Sequence, residues 1–267
     1  MTVSGSGGGA FGSAALWIVD LDGVIWLAGE PIGDVRGAIE LLRARGVRVV
    51  FATNNSAPTT AELLGRLDAF DVTASVDDLV TSAGAAASLL EPNQPVTMLG
   101  EAGLAEALEA RGVTLVHGDP ASVAVVGWSR SFDFDALAAT ATAARTSGRL
   151  VATNEDPTHP TPKGLLPGAG ALLAAVATAS GVIPEIAGKP HAPIAELMAA
   201  KFGFSPRDGS VVMIGDQPRT DGKLAERLGV PFGLVDSGVT AADADGFDVP
   251  VAARYPDFVT LVHAVFD

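Results

Sequence analysis

The chain carries a short apolar segment that runs directly into two acidic residues, LWIVDLDGV at residues 16–24. A short apolar run bounded by polar and glycine residues predicts a buried strand. Alternate residues of a strand face the same way, so Asp20 and Asp22 should project toward one site with Leu21 turned into the core. Gly23 leaves room for backbone N–H groups to approach a ligand.

Strand and helix patterns alternate on both sides of the chain's middle. Residues 34–46 have helical spacing and end at a glycine, residues 47–52 predict the next strand, and residues 58–70 predict a second helix. The last third, from about residue 184, returns to the same rhythm. Strands and helices that alternate through short joints predict an α/β fold with a parallel sheet.

The composition excludes several classes of function. The 267 residues include 17 basic and 31 acidic side chains, a net charge of −14, which argues against nucleic acid or an anionic membrane as a partner. Cysteine is absent, so thiolate nucleophiles and cysteine-ligated metals are excluded. Residues 1–13 predict a flexible tail, and the lack of a long apolar segment predicts a cytoplasmic protein.

Polar side chains follow the predicted strands, where the carboxyl ends of parallel strands share one edge of a sheet. After the strand that bears Asp20 and Asp22 come Thr53-Asn54-Asn55, then Lys189, then Asp216 with Asp221. Two carboxylates about 4 Å apart repel by about 4 kcal/mol at an effective dielectric near 20, and a divalent cation removes that repulsion. Hard oxygen ligands favour Mg²⁺.

These groups together could hydrolyse a phosphate ester. A carboxylate can attack phosphorus in line while a second carboxylate protonates the leaving oxygen. The roles predicted are nucleophile for Asp20, acid and base for Asp22, charge neutralisation for Lys189, metal binding for Asp216 with Asp221 in support, and phosphate binding for Thr53 and Asn54. Each motif also has a purely structural alternative, such as a turn, a helix cap or a solvated lysine.

The same motifs resemble a known family. Asp20-Leu21-Asp22-Gly23-Val24, Thr53-Asn54-Asn55, Gly188-Lys189-Pro190 and Gly215-Asp216 with Thr220-Asp221 resemble, in order, the four motifs of the haloacid dehalogenase superfamily of phosphatases. Within it the chain looks like the class IIA branch of 4-nitrophenylphosphatases, which includes pyridoxal phosphatase and phosphoglycolate phosphatase.

The resemblance implies both a fold and a cofactor. The fold is a doubly wound, Rossmann-like parallel sheet with an inserted α/β cap of type II. The activity is that of a Mg²⁺-dependent phosphomonoesterase that forms an aspartyl phosphate. The resemblance further implies that Asp20, Asp216 and the backbone carbonyl of Asp22 hold the metal and that Thr53, Asn54, Asn55 and Lys189 bind the substrate.

Motif spacing independently indicates an inserted domain. The interval from Asp22 to Thr53 holds one loop and one helix, whereas the interval from Thr53 to Lys189 is several times longer. A simple crossover needs about a dozen residues or more, so the long interval must hold a separate module. The predicted organisation is a tail at 1–13, a catalytic core at 14–81 and 184–267, and a cap at 82–183.

One stretch of the predicted cap bears on substrate choice. Residues 153–160, TNEDPTHP, resemble the specificity loop of the branch, in which many bacterial members carry Phe or Leu where this chain has His159. Pyridoxal phosphatases carry His there. The interpretation is that His159 contacts the leaving group and that Asn154 and Asp156 shape the loop; the alternative is a solvated histidine.

Two other functions fit the same residues. A phosphotransferase or phosphomutase would pass the phosphoryl group to another hydroxyl, and a receiver-type module would keep it without turnover. The sequence does not select the substrate among pyridoxal phosphate, phosphoglycolate, glycerol phosphate and nucleoside monophosphates. A homodimer is plausible by analogy with the family.

Overall fold

The structure, a computed structural model, describes residues 8–161 and 164–267. By their internal contacts these residues form two compact units. Unit 1 comprises the residues up to Thr53, Leu64–Leu79 and Met198–Asp267, and unit 2 comprises Asn54–Leu63 and Val80–Leu197. Unit 2 thus includes residues 54–63 and 184–197, which the sequence assigns to the core; the boundaries of the cap stay a prediction.

Both units contain short strands. They are β1 (Leu16–Val19), β2 (Trp26–Leu27), β3 (Glu30–Pro31), β4 (Arg48–Thr53), β5 (Leu79–Thr81), β6 (Pro95–Leu99), β7 (Thr114–Leu115), β8 (Val123–Val126), β9 (Leu150–Ala152), β10 (Thr158–Thr161), β11 (Gly164–Pro167), β12 (Glu185–Ile186), β13 (Val211–Gly215), β14 (Phe232–Val235) and β15 (Ala253–Tyr255).

Helices connect these strands. They are α1 (Gly8–Ser13), α2 (Val35–Ala44), α3 (Thr60–Ala69), α4 (Ser82–Ser88), α5 (Ala102–Arg111), α6 (Phe134–Ser147), α7 (Ala169–Ser180), α8 (Ala192–Phe202), α9 (Lys223–Leu228) and α10 (Phe258–Phe266). A 3-10 turn at Val76–Asp78 and a π-helical turn at Pro218–Gly222 complete the set. No described helix has the length and apolar character needed to cross a membrane.

The sheet of unit 1 is parallel and has β1 at its centre. The strand order is β15-β14-β13-β1-β4, with β5 at the edge. Val19 lies opposite Ile214 on one side and Phe51 on the other, and the next backbone amide, that of Asp20, donates to Ile214 O at 2.9 Å. This register brings the ends of β1 and β13, and therefore Asp20 and Asp216, side by side.

The start of the chain differs from the expected flexible tail. Residues 8–13 form helix α1, and Phe11 is fully buried with its ring 5.9 Å from that of Trp17. Burying one aromatic side chain offsets the entropy that a glycine-rich segment loses on ordering, so the tail prediction was wrong for these residues. Residues 1–7 of the predicted tail lie outside the described residues.

Unit 2 has a parallel sheet of its own in the order β12-β9-β8-β6-β7. Helices α6 and α7 pack together, and their small and aliphatic side chains share a core with the sheet. Its fully or nearly fully buried members include Leu99, Val126, Ala144, Leu150, Leu173 and Val176. Strands and helices are therefore combined in an α/β layer here, as the family resemblance implies for the inserted segment.

Two short hairpins were not predicted. β2 pairs with β3, and β10 pairs with β11, both antiparallel, with His159 opposite Leu166 in the second. The segment with His159 is thus a strand of a hairpin rather than an irregular loop. Strands this short and this exposed lack the apolar alternation from which a strand can be predicted.

Candidate active site

Three buried carboxylates meet at the end of the sheet of unit 1. One oxygen each of Asp20, Asp216 and Asp221 lies within 4.8 Å of the others. Asp20 is 5% exposed, and Asp216 and Asp221 are fully buried. The predicted convergence of Asp20 with Asp216 and Asp221 is therefore present, and so is the electrostatic repulsion that it creates.

Each of these carboxylates is held by a backbone amide. Leu21 N donates to Asp20 Oδ1 at 2.7 Å, and Gln217 N donates to Asp221 Oδ2 at 3.1 Å. Val239 N donates to Asp216 Oδ2 at 2.6 Å. Hydrogen bonds from amides fix the side-chain rotamers, so the carboxylate oxygens are preorganised before any ligand binds.

Glycines make room for this arrangement. A Cβ atom on Gly23, whose φ is +84°, would lie 2.6 Å from Asp216 Oδ2. A Cβ atom on Gly238 would collide with the same carboxylate, and one on Gly215 would collide with Asp221. The backbone thus surrounds the carboxylates too closely for any side chain. The structural reason for a glycine at position 23 is the nearby carboxylate of Asp216, whereas the sequence predicted room for a ligand there.

The loop after β14 is a part of the site that the sequence analysis missed. Besides the amide of Val239, it contributes Ser237, whose Oγ donates to Gly23 O at 2.7 Å. Arg254 holds the base of the loop by donating to Asp236 Oδ1 at 2.8 Å and to Ala244 O at 2.6 Å. The same rule that selected the other strand ends, polar residues directly after a strand, would have found this loop.

The carboxylate cluster fits a hard divalent cation. Three acidic side chains buried within one small volume are unfavourable in isolation, because burial removes the water that would screen their charges. Oxygen donors alone, without histidine or cysteine, are the set that suits Mg²⁺. The residues of unit 1 therefore match the predicted metal site in chemistry, and Asp221 places an oxygen in the same group as Asp20 and Asp216.

Asp22 lies outside this cluster. Its Oδ1 accepts a hydrogen bond of 2.8 Å from Trp26 Nε1, and the residue is partly exposed. The alternation of a regular strand, which predicts that Asp22 points where Asp20 points, ends with β1 at Val19. Asp22 instead belongs to a turn that bridges back to Trp26.

A second group of predicted residues meets in unit 2, around Asn54. Its Oδ1 accepts from Lys189 N at 2.8 Å, and its Nδ2 donates to Lys189 O at 3.1 Å and to Asp156 Oδ2 at 3.0 Å. Asn154 Nδ2 donates to the backbone oxygen of Asn54 at 2.7 Å, as does Ser82 Oγ. The predicted phosphate-binding motifs and the specificity segment are thus joined by one amide side chain.

Lys189, the cation of the predicted site, is almost completely buried, with 2% of its surface exposed. Thr53, at the end of β4 in unit 1, is 1% exposed. Asn55 Oδ1 accepts from Ala57 N at 3.2 Å and so caps the turn before α3. A lysine buried to this degree is expected to interact with a negatively charged group, because burial of an unpaired ammonium is strongly unfavourable.

His159 packs against an aromatic ring. The rings of His159 and Trp128 are 5.0 Å apart at 43°, and Trp128 Nε1 donates to Pro167 O at 2.9 Å. Trp128 N in turn donates to Ser56 Oγ at 3.4 Å, next to the motif of Asn54. The histidine is therefore half-buried against a fixed indole and is not a freely solvated side chain.

Comparison with known proteins places this site in a family. Residues 17–114 match the model of haloacid dehalogenase-like hydrolases, and residues 186–260 match a HAD-hydrolase-like model. A 5'-nucleotidase of Bacillus subtilis is 32% identical over 89% of this chain and 93% of its own length. The chain belongs to the haloacid dehalogenase-like hydrolases. The family and the α/β fold with its Rossmann-like core, both predicted from the motifs, are thereby confirmed.

Other relatives and solved structures agree. A D-glycerol 3-phosphate phosphatase of Mycobacterium tuberculosis is 34% identical over 91% of this chain and 68% of its own length. A p-nitrophenyl phosphatase from Archaeoglobus fulgidus has a TM-score of 0.87 at 28% identity, covering 94% of this chain and 99% of its own. The glycerol phosphate phosphatase from M. tuberculosis in complex with magnesium has a TM-score of 0.82 at 33% identity, covering 93% and 76%. The prediction that this haloacid dehalogenase-like hydrolase is a phosphatase is confirmed.

Proposed function

We propose that this haloacid dehalogenase-like hydrolase is a Mg²⁺-dependent phosphomonoesterase that acts on small phosphorylated metabolites through an aspartyl phosphate on Asp20. The observation that carries the proposal is the buried cluster of Asp20, Asp216 and Asp221. Solved relatives bound to magnesium and calcium support the choice of a divalent cation.

In the first step a carboxylate oxygen of Asp20 attacks the phosphorus atom. The bond between phosphorus and the ester oxygen breaks, and Asp22 in its protonated form gives its proton to the departing oxygen, so the alcohol leaves neutral. Asp20 is suited to attack because its other oxygen is anchored to Leu21 N, which fixes the direction of the carboxylate.

In the second step water hydrolyses the aspartyl phosphate. Asp22, now ionised, takes a proton from the attacking water, the bond between phosphorus and the Asp20 oxygen breaks, and inorganic phosphate leaves. Asp20 regains its carboxylate and Asp22 regains its proton, so both residues return to their starting state.

The metal and the phosphate oxygens are held by different residues. Asp20, Asp216 and the backbone carbonyl of Asp22 would hold Mg²⁺, with Asp221 in support; when bound, the ion supplies positive charge that offsets the phosphoryl oxygens. Lys189 adds a second positive charge, and the hydroxyl of Thr53 with the backbone amides of Asn54 and Asn55 donates hydrogen bonds to the phosphate. The side-chain amide of Asn54 is already engaged by Asp156 and Lys189.

The segment 82–183 is proposed to act as the cap that selects the ester. Relatives named D-glycerol 3-phosphate phosphatase and acid sugar phosphatase support a small aliphatic or sugar phosphate as substrate. A solved p-nitrophenyl phosphatase supports 4-nitrophenyl phosphate as a surrogate. Pyridoxal phosphate, phosphoglycolate and nucleoside monophosphates belong on the same panel. A cytoplasmic location and a homodimer stay predictions from the sequence.

The decisive experiment replaces Asp20 by Asn and measures phosphate release over this panel with and without Mg²⁺. We expect activity to fall by more than about 10³-fold, because the amide cannot form the acyl phosphate. Wild-type protein quenched during turnover should carry phosphate on residue 20. Equal phosphate release by the variant would contradict the assigned nucleophile, and release of less than one phosphate per alcohol would indicate transfer to another acceptor.

The role proposed for His159 is tested on the same panel. His159→Ala should change the ranking of the esters, because the imidazole that packs on Trp128 is proposed to contact the leaving group. His117→Ala, which changes a histidine outside the proposed site, is the matched control. An unchanged ranking in both variants would remove the specificity role from His159.

A further inference from the structure

The side chain of Asp22 is held by a tryptophan that neither the motifs nor the comparisons single out. Trp26 Nε1 donates to Asp22 Oδ1 at 2.8 Å, and Gly23 N donates to Trp26 O at 2.7 Å. These two bonds close a small loop in which the indole and the carboxylate face each other. The indole N–H is a donor only, so its partner must be an acceptor such as a carboxylate.

Trp26 is itself immobilised by its surroundings in unit 1. It is fully buried, its ring lies 6.2 Å from that of Phe70, and the guanidinium of Arg66 lies 5.2 Å from its centroid. A tryptophan packed on two sides has one accessible rotamer, so its N–H points in one fixed direction. Asp22, by contrast, is partly exposed.

We propose that Trp26 is a positioning residue that keeps Asp22 aimed at the leaving oxygen and apart from the three clustered carboxylates. This inference rests on the function proposed above, in which Asp22 is the proton donor. Asp22 is two residues from Asp20, and its side chain could turn toward the metal-binding carboxylates, where it would bind cation and lose its role. The indole N–H prevents that rotation by engaging one carboxylate oxygen.

The consequence depends on the leaving group. An alkoxide is a poor leaving group and needs a proton as the ester bond breaks, whereas 4-nitrophenolate departs with little assistance. Loss of the indole N–H should therefore slow hydrolysis of an alkyl phosphate far more than hydrolysis of 4-nitrophenyl phosphate. A change that only loosened the fold would lower the rates for both esters by the same factor.

The test compares kcat/KM for glycerol 3-phosphate and 4-nitrophenyl phosphate in the wild type and in Trp26→Phe. We expect the ratio of alkyl to nitrophenyl ester to fall by about tenfold or more, a fraction of the 10²–10⁴-fold that a general acid supplies. Trp17→Phe is the matched control, since Trp17 is also fully buried in unit 1 and its Nε1 has no hydrogen-bond acceptor among the described residues. The control should keep the wild-type ratio.

A second variant covers the case in which Trp26→Phe fails to fold. Trp26→Tyr keeps an aromatic ring beside Arg66 and Phe70 but cannot place a donor where the indole nitrogen lies, and it should show the same fall in ratio. The double variants with Asp22→Asn decide whether Trp26 acts through Asp22: in that background the tryptophan substitutions should change the ratio no further.

Two results would overturn the positioning role: an equal loss for both esters in the Trp26 variants, or a shift in ratio that persists when Asp22 is already Asn. Failure of the underlying function is distinct. It would show as an Asp20→Asn variant with full activity, or as an Asp22→Asn variant with the wild-type ratio.

Discussion

At the scale of single residues, the closest fit around the carboxylates is at Gly238. A Cβ atom there would collide with the side chain of Asp216, which also accepts the amide of Val239. The site therefore needs a residue without a side chain beside Asp216 as well as the carboxylate of Asp216. A substitution that adds one carbon at Gly238 should therefore weaken metal binding more than it lowers the stability of the fold.

Gly238→Ala is expected to weaken Mg²⁺ binding by about tenfold or more, in the range seen for groups that orient metal ligands. Calorimetric titration of Mg²⁺ into the protein measures this directly. Gly209→Ala is the control, because a Cβ atom at Gly209 would meet no atom within 4 Å. Equal Mg²⁺ affinity in the two variants would show that Asp216 can move without loss.

Single residues also show where sequence reasoning succeeds and where it stops. The motifs predicted that Asp20, Asp22, Asp216 and Asp221 converge at the strand ends of one parallel sheet. The structure brings Asp20, Asp216 and Asp221 together. The prediction was wrong for Asp22, which lies outside the cluster and accepts the indole N–H of Trp26. The partner of Asp22 could not be predicted. Trp26 reads as an ordinary apolar residue, and only the turn that returns the chain to Asp22 makes its N–H relevant.

At the scale of elements, helix α7 shows how the layer of unit 2 is held. Leu173 is 5% exposed and packs into the core that α7 shares with α6 and the sheet, whereas the adjacent Leu172 is only partly buried at the edge of that core. Two leucines next to each other on one helix thus differ in environment because successive residues are separated by about 100° around its axis.

Leu173→Ala should lower the free energy of unfolding by about 2–5 kcal/mol, because it removes buried methyl groups and leaves a cavity among small side chains. Leu172→Ala, the matched control, should lower it by clearly less. Chemical denaturation followed by circular dichroism measures both. If the two variants lose the same stability, the core does not extend to Leu173 as described.

At the scale of the whole molecule, the three buried carboxylates link stability to metal. Their mutual repulsion opposes folding, since two unit charges about 4 Å apart cost about 4 kcal/mol at an effective dielectric near 20. A cation that binds only the folded protein opposes this repulsion and stabilises the folded state by about 2.7 kcal/mol at 100 times its dissociation constant. The folded state should therefore depend on Mg²⁺ even in the absence of substrate.

The variant Asp216→Asn separates the repulsion between the carboxylates from the stabilisation by bound Mg²⁺. Without metal the variant should be more stable than the wild type by about 1–3 kcal/mol, because one of the repelling charges is gone. With Mg²⁺ at about 1,000 times its dissociation constant, where binding adds about 4.1 kcal/mol to the wild type, the order should reverse, because the variant lacks one of the metal-binding carboxylates. Thermal unfolding with and without Mg²⁺ tests both expectations, and a variant that is destabilised in both conditions would count against a repulsive cluster.

The sequence by itself determined the family, the alternation of strands and helices, and three of the four carboxylates predicted to converge, because these follow from short motifs and from the periodicity of burial. Tertiary structure alone decided how Asn54 joins Lys189 to Asp156, how Ser237 reaches Gly23 and Val239 reaches Asp216, and that Trp26 holds Asp22. The physical reason is the separation along the chain between the residues that interact. A motif records which groups follow a strand, but hydrogen bonds between residues far apart in the chain exist only once packing has brought their backbones together.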